Sequence, residues 1–123
     1  MGLDSTIYLA SADFPEWGEA SEHNPFMPDP PEGMKWWPTF RWRKHYVLDG
    51  NLGMGMGSPD WRMLKGKGGL GYLRSFQSQI MMHWTVGDTM ATVKKYREQD
   101  MRFIVWARHR MISGATLLYE RVS

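Results

Sequence analysis

The sequence predicts a mainly α protein, with a C-terminal helical hairpin behind a long extended N-terminal arm and a glycine-rich loop. Three observations predict it. Six of the seven prolines fall within residues 15–38. Eight glycines fall within residues 50–71. From Leu70 onward, apolar residues recur at steps of three and four. The chain therefore divides into an acidic and then aromatic-basic arm over 1–49, the loop over 50–71, and the hairpin over 72–123. At 123 residues it is one domain at most.

The arm begins with LDSTIYLASA, residues 3–12, which reads as a short strand or extended segment around Ile7, Tyr8 and Leu9. Proline then fixes its own φ, removes a donor and pushes its predecessor toward extended conformations. NPFMPDPPEG is thus expected to be extended or turn-rich, with little internal hydrogen bonding. Phe14, Trp17, Phe26, Met27 and Met34 punctuate this stretch. A solvated linker has no need of them, whereas an arm docking into grooves uses each as an anchor. Residues 1–34 carry seven acids (Asp4, Asp13, Glu16, Glu19, Glu22, Asp29, Glu32) and no Lys or Arg. The rest carries fifteen bases and six acids, so the halves differ sharply although net charge is only +2. Either the acidic arm meets a partner, or it folds over the chain's own basic half.

The densest segment is KWWPTFRWRKHY, residues 35–46. Trp36, Trp37, Phe40, Trp42 and Tyr46 alternate with Lys35, Arg41, Arg43 and Lys44. Over 39–44 the period is close to two, which favours a short strand. The loop that follows is costly to order, because glycine loses the most backbone freedom on folding. A short piece at 61–64 interrupts it. Gly66, Gly68 and Gly71 match G-x-G-x-x-G before a helix, and Asp88 lies near the spacing of a ribose contact. A dinucleotide site also needs a preceding buried strand in a βαβ unit, which the flanking sequence does not offer. The expected role is a flexible basic loop, with Lys65 and Lys67 as candidate phosphate-contacting residues.

Leu73, Phe76, Ile80 and Trp84 form one stripe of an amphipathic helix over 70–85. Gly87 can end it and Asp88 can cap the next. Met90, Val93, Met101, Ile104, Met111, Ala115, Leu118 and Val122 then follow a period near 3.6. Lys94, Lys95, Glu98, Arg102 and His109 sit largely opposite. The expectation is one long helix, with a break near 99–101 or at Gly114. RFIVWAR, residues 102–108, is β-branched and aromatic enough to read instead as a strand, which would make a small α+β fold.

Several function classes find no support in these residues. With no cysteine there are no disulfides, thiolate metal sites or cysteine nucleophiles, which fits an intracellular reducing compartment. His23, His45, His83 and His109 show no ligand spacing, so no metal is expected. There is no G-x-S-x-G or H-E-x-x-H, and no nucleophile–base–orienter set. Glu16, Glu19 and Glu22 have helical spacing, but Pro15 and Pro25 confine them to a short stretch that reads as solvated acidic surface. No apolar stretch approaches the roughly 20 residues of a membrane span. The first residues lack the signs of a secretory signal or transit peptide. MGLDST fits an N-myristoylation pattern at Gly2, without the second basic signal that stable anchoring needs. No cofactor and no small-molecule substrate is expected.

What remains is contact with macromolecules. Seven Trp and eleven Met supply adaptable, adhesive surface. KWWPTFRWRK has the ingredients of single-stranded nucleic-acid binding, aromatic faces beside phosphate-contacting bases. Arg stacked on Trp at a protein interface gives the same string, and the acidic arm opposes a purely nucleic-acid partner. In composition the chain resembles the supernumerary subunits of mitochondrial respiratory complexes or ribosomes. MGLD before a short apolar run, with the later WRK, looks like small phage proteins. The expected function is a non-catalytic accessory subunit that clasps neighbouring protein subunits, with a mitochondrial location. Its contacts would be Phe14, Trp17, Phe26, Trp36, Trp37, Phe40, Arg41, Trp42, Arg43 and Lys44, with Phe76, Ile80 and Trp84 docking the hairpin. The alternatives are a small free-standing binding or inhibitor protein, phage-encoded, and a single-stranded nucleic-acid binder.

Overall fold

Apolar side chains on both sides of one short segment, Leu3 to Ala10, set the architecture. In the computed structural model, which describes residues 3–16, 18–22, 26–56, 60–85 and 91–122, that segment is the strand β1 (Asp4–Ser11). It is followed by β2 (Lys35–Arg43), α1 (Tyr46–Leu52), β3 (Trp61–Leu64), α2 (Gly66–Thr85), α3 (Ala91–Lys95), α4 (Arg97–Ile112) and β4 (Leu117–Val122). The strands form one antiparallel sheet of order β2-β1-β4-β3. The class is therefore α+β, which corrects the mainly α expectation.

In the tail the correction has a local cause. Residues 117–122 form a strand where helical spacing through Met111, Ala115, Leu118 and Val122 suggested helix. Gly114 adopts φ +92°, a conformation glycine enters without steric cost, and the Ala115 N–H bonds back to the Arg110 carbonyl. The helix closes there, and LLYERV continues as an alternating strand. Residues 102–108 are helical within α4, as the main expectation has them, and the alternative strand there does not form. The sheet's C-terminal strand starts nine residues after Arg108, at Leu117.

Two stretches of the expected arm, β1 and β2, are strands of the sheet. β1 and β2 pair from Asp4↔Arg43 to Ser11↔Lys35, with an irregularity between Ile7 and Tyr8. Ile7, Leu9, Phe40, Trp42, Leu117 and Tyr119 face the helices and join Leu48, Phe76, Ile80 and Phe103 in the main core. Tyr8, Ala10, Trp36 and Leu118 form a smaller cluster on the opposite face, covered by Met27 of the arm. The boundaries expected at 50 and 72 fall inside α1 and α2. The glycine-rich stretch also holds regular structure, since Gly66 to Gly71 open α2. At Gly69 a Cβ would lie 2.8 Å from the Leu64 carbonyl carbon and 2.7 Å from Met111 Sδ. Glycine therefore allows α2, β3 and α4 to meet. Gly69→Ala is expected to destabilise by about 1–3 kcal/mol through overpacking, although alanine is the better helix former by about 1 kcal/mol. Urea unfolding checks this, and an unchanged or higher midpoint would contradict it.

The acidic arm returns over the chain's own basic strand. The Glu19 N–H donates to the Pro38 carbonyl and the Glu22 N–H to the Trp36 carbonyl, both at 3.1 Å. The Trp36 indole N–H donates to the Pro28 carbonyl at 2.8 Å. Arg41 reaches Glu22 at 2.8 Å and Glu19 at 3.4 Å. These ion pairs are half exposed and worth about 0–1 kcal/mol each. The backbone bonds and the burial of Met27 do more to hold the arm.

Beneath the arm, the Tyr8 hydroxyl lies 3.1 Å from Glu22 and 3.0 Å from Glu120. Burial pushes the Tyr8 hydroxyl far above its ordinary pKa, so it stays a donor. Burial also pushes the Glu120 carboxyl up, and the Glu22 charge adds to the rise. The fold thus favours protonated Glu120. That contribution is complete in acid below the ordinary glutamate pKa and is lost as pH rises through the raised value. Glu120→Gln, which mimics the protonated form, is expected to raise the melting temperature at neutral pH. The gain should vanish in acid. A lower melting temperature at neutral pH would contradict the assignment. No helix among the described residues is long and apolar enough to cross a membrane.

Candidate protein-docking groove

α4 is apolar on two sides. Phe103, Ile104, Ala107 and Met111 point into the core. At the helix start Asp100 is fully buried and accepts the Trp42 indole N–H at 2.8 Å, with His45 Nε2 2.7 Å away. These contacts pin α4 to β2 and to the residue before α1. On the other side Met101, Val105 and Ile112 are 50%, 71% and 65% exposed. At 3.6 residues per turn these three share one outward stripe, with Arg102 and Arg108 on its two flanks. Helices at a protein surface normally turn polar residues outward, so an outward apolar stripe asks for a cover.

Beside this stripe runs a groove of about 1080 Å³. Ala10, Ser11 and Ala12 form one wall, Met34 of the arm contributes, and Met101, Val105 and Trp106 form the other. Gly114 and Ala115 line one part, so small residues keep the concavity open. Trp106 packs edge-on against Phe40 with ring centroids 5.2 Å apart, tying the groove to the core. Its charged residues are Arg102, Arg110 and Asp13, with His109 beside them. Arg110 lies over the Trp106 ring at 5.8 Å. Among the described residues neither Arg102, Arg108 nor Arg110 pairs with a carboxylate.

Two other polar clusters are structural. His45 and Asp100 resemble a base and its orienter, but both are sealed from solvent. His45 Nδ1 is buried with no partner, and the ring stacks on Tyr96 at 5.7 Å. Burial pushes the Asp100 carboxyl up, while the hydrogen bonds from His45 and Trp42 draw it back. In the second cluster the Tyr119 hydroxyl donates to Asp49 at 2.7 Å, and Arg121 reaches the same carboxylate at 2.9 Å. Burial raises the Tyr119 hydroxyl well above its ordinary pKa, so its single proton is spent on Asp49. Ser5 Oγ, 2.9 Å away, must then donate to Tyr119. This set fastens α1 to the sheet.

Six of the thirteen expected contact residues are buried. Trp36, Trp37, Phe40 and Trp42 are buried in the chain's own packing, as are Phe76 and Ile80. The alternation in 35–43 is that of a sheet strand, with Phe40 and Trp42 toward the helices and Trp36 on the opposite face. Trp84 is half buried, with Arg97 over its ring at 5.1 Å. Phe14 is exposed, although its ring meets Trp37 at 4.9 Å, and Phe26 is 80% exposed. Arg41, Arg43 and Lys44 are exposed; Arg41 is engaged by the arm, and the Arg43 N–H donates to the Tyr96 hydroxyl at 2.9 Å. Lys65 and Lys67 are exposed at the start of α2. Gly66, Gly68 and Gly71 follow β3, an edge strand in an antiparallel sheet, so no βαβ unit surrounds them. Trp17, His23, Gly87, Asp88, Met90 and Gly2 lie outside the described residues. Among the described residues no three His, Asp or Glu side chains converge as metal ligands.

The residues that sequence reasoning passed over are Met101, Val105, Arg108 and Ile112 as outward-facing groups. The signal was present. FIVW, residues 103–106, is four consecutive apolar residues, and a helix there must carry them on more than one side.

The chain matches no known family model, no curated protein and no solved structure. Fold and groove define a small α+β body. An acidic arm is strapped over one sheet face, and an apolar, basic groove runs beside α4.

Proposed function

We propose that this chain is a non-catalytic binding protein that docks another protein along the α4 groove. The outward stripe of Met101, Val105 and Ile112, on a helix whose opposite side is already core, carries the reading. It favours the free-standing binding protein over the clasping subunit, because four aromatic anchors of the clasp, Trp36, Trp37, Phe40 and Trp42, are consumed in the chain's own packing. Stacking on single-stranded nucleic acid loses its platform for the same reason. The sealed His45–Asp100 pair has no route to a substrate.

Val105→Asp tests the reading. The side chain is 71% exposed, so stability should change by only about 0.5 kcal/mol. Capture of a protein partner from native lysate should be lost in this variant and kept in Lys67→Asp, a control on α2. Capture that survives Val105→Asp but fails when Arg41 and Arg43 are replaced would refute the groove.

A further inference from the structure

We propose that the occupant of this groove is an acidic amphipathic helix of a partner protein. The inference rests on the docking reading and adds the chemistry of what docks. Over residues 94–110 the cations at the groove are Arg102 and Arg110, which line it, and Arg108, which flanks the stripe. The acids in that span are Glu98 and Asp100, and Asp100 is buried against His45. A partner bringing carboxylates gains from these cations in encounter and in specificity.

The apolar stripe fixes the shape of the occupant. Residues 101–112 of a helix span roughly 16 Å, about three turns. A facing helix presents its anchors at matching steps, as amphipathic helices laid into grooves do. The small residues Ala10, Ala12, Gly114 and Ala115 leave room for its backbone to approach.

Two other occupants fit less well. A second copy packed by the same face, with the two-fold axis near Val105, would set Arg102 against Arg108 of the other copy, which like charge opposes. Nucleic acid would meet Met101, Val105 and Ile112, aliphatic side chains that offer bases no stacking face.

The test uses the isotope-labelled full chain and four probes. These are an amphipathic peptide with a Leu/Met stripe and Glu elsewhere, the same peptide with Lys for Glu, the Glu peptide with its apolar positions scrambled, and a single-stranded oligonucleotide. Amide shifts at 101–112 locate binding, and titrations give affinities. The acidic amphipathic peptide should bind at least about tenfold tighter than the other three, with a preference that shrinks as salt is raised. Arg102→Glu with Arg108→Glu, both exposed positions, should lose about tenfold in affinity at an unchanged melting temperature. Equal or tighter binding of the Lys peptide at 101–112 overturns the acidic occupant and leaves protein docking standing. Equal binding of the scrambled peptide, or tighter binding of the oligonucleotide, overturns the helix. Shifts at 101–112 with none of the peptides overturn this inference and the docking reading together.

Discussion

Replacing Asp100 with Ala is expected to cost about 3–5 kcal/mol of folding stability. Its carboxylate is fully buried and receives the Trp42 indole N–H at 2.8 Å, with His45 Nε2 at 2.7 Å. Alanine would leave both ring nitrogens buried without an acceptor, next to the already unpartnered His45 Nδ1. Domains of this kind have only about 5–15 kcal/mol in total, so the melting temperature should fall by roughly ten degrees or more. Asp100→Asn keeps the shape and one acceptor oxygen and should lose less. Thermal and urea unfolding of both variants check the order. A loss below about 1 kcal/mol for Asp100→Ala would mean that the carboxylate does not hold α4 to β2.

Phe76→Ala is the second large effect, again about 3–5 kcal/mol. Phe76 is fully buried and its ring meets His45 and Phe103. It belongs to the stripe of α2 that a sequence reader assigns to partner docking, so the variant separates the two roles. A core phenylalanine leaves a cavity and lowers stability in the isolated chain. A docking phenylalanine would lose partner binding at nearly constant stability. Val105→Asp should show the opposite pattern to Phe76→Ala, and the two variants measured side by side distinguish core from contact face.

The elements that could be read locally are those whose partners lie close in sequence or whose pattern is unambiguous. The 3–4 stripe from Leu73 to Trp84 gave the extent of α2 to within a few residues. The β-branched and aromatic run at Ile7 to Leu9 marked an extended segment, as did the alternation over 39–44. The sheet itself was not legible. β1 pairs with β4 across more than a hundred residues, and no local pattern announces such a pairing. In the tail, Leu118 and Val122 satisfied helical spacing, while the decisive residue was Gly114 with its positive φ. The aromatic block misled for a chemical reason. Trp and Phe interleaved with Arg and Lys describe a sticky surface, and they equally describe a strand whose aromatics face a core and whose bases face solvent and the acidic arm. Charge asymmetry leaves two readings open, and two of the seven acids, Glu19 and Glu22, meet Arg41 of the chain's own strand. The groove is hidden because FIVW fits strand and helix alike, and only as a helix does it turn a surplus apolar residue outward.

Hydrogen exchange on the isolated full chain tests most directly whether the aromatic block is core. If β2 lies inside the chain's own sheet, the β2 amides that bond to β1 exchange only through global unfolding. Their protection should match that of α2 and α4. Exchange at unstructured-chain rates across 35–43, with α2 and α4 still protected, would contradict this sheet and return the block to an arm that orders only on a partner.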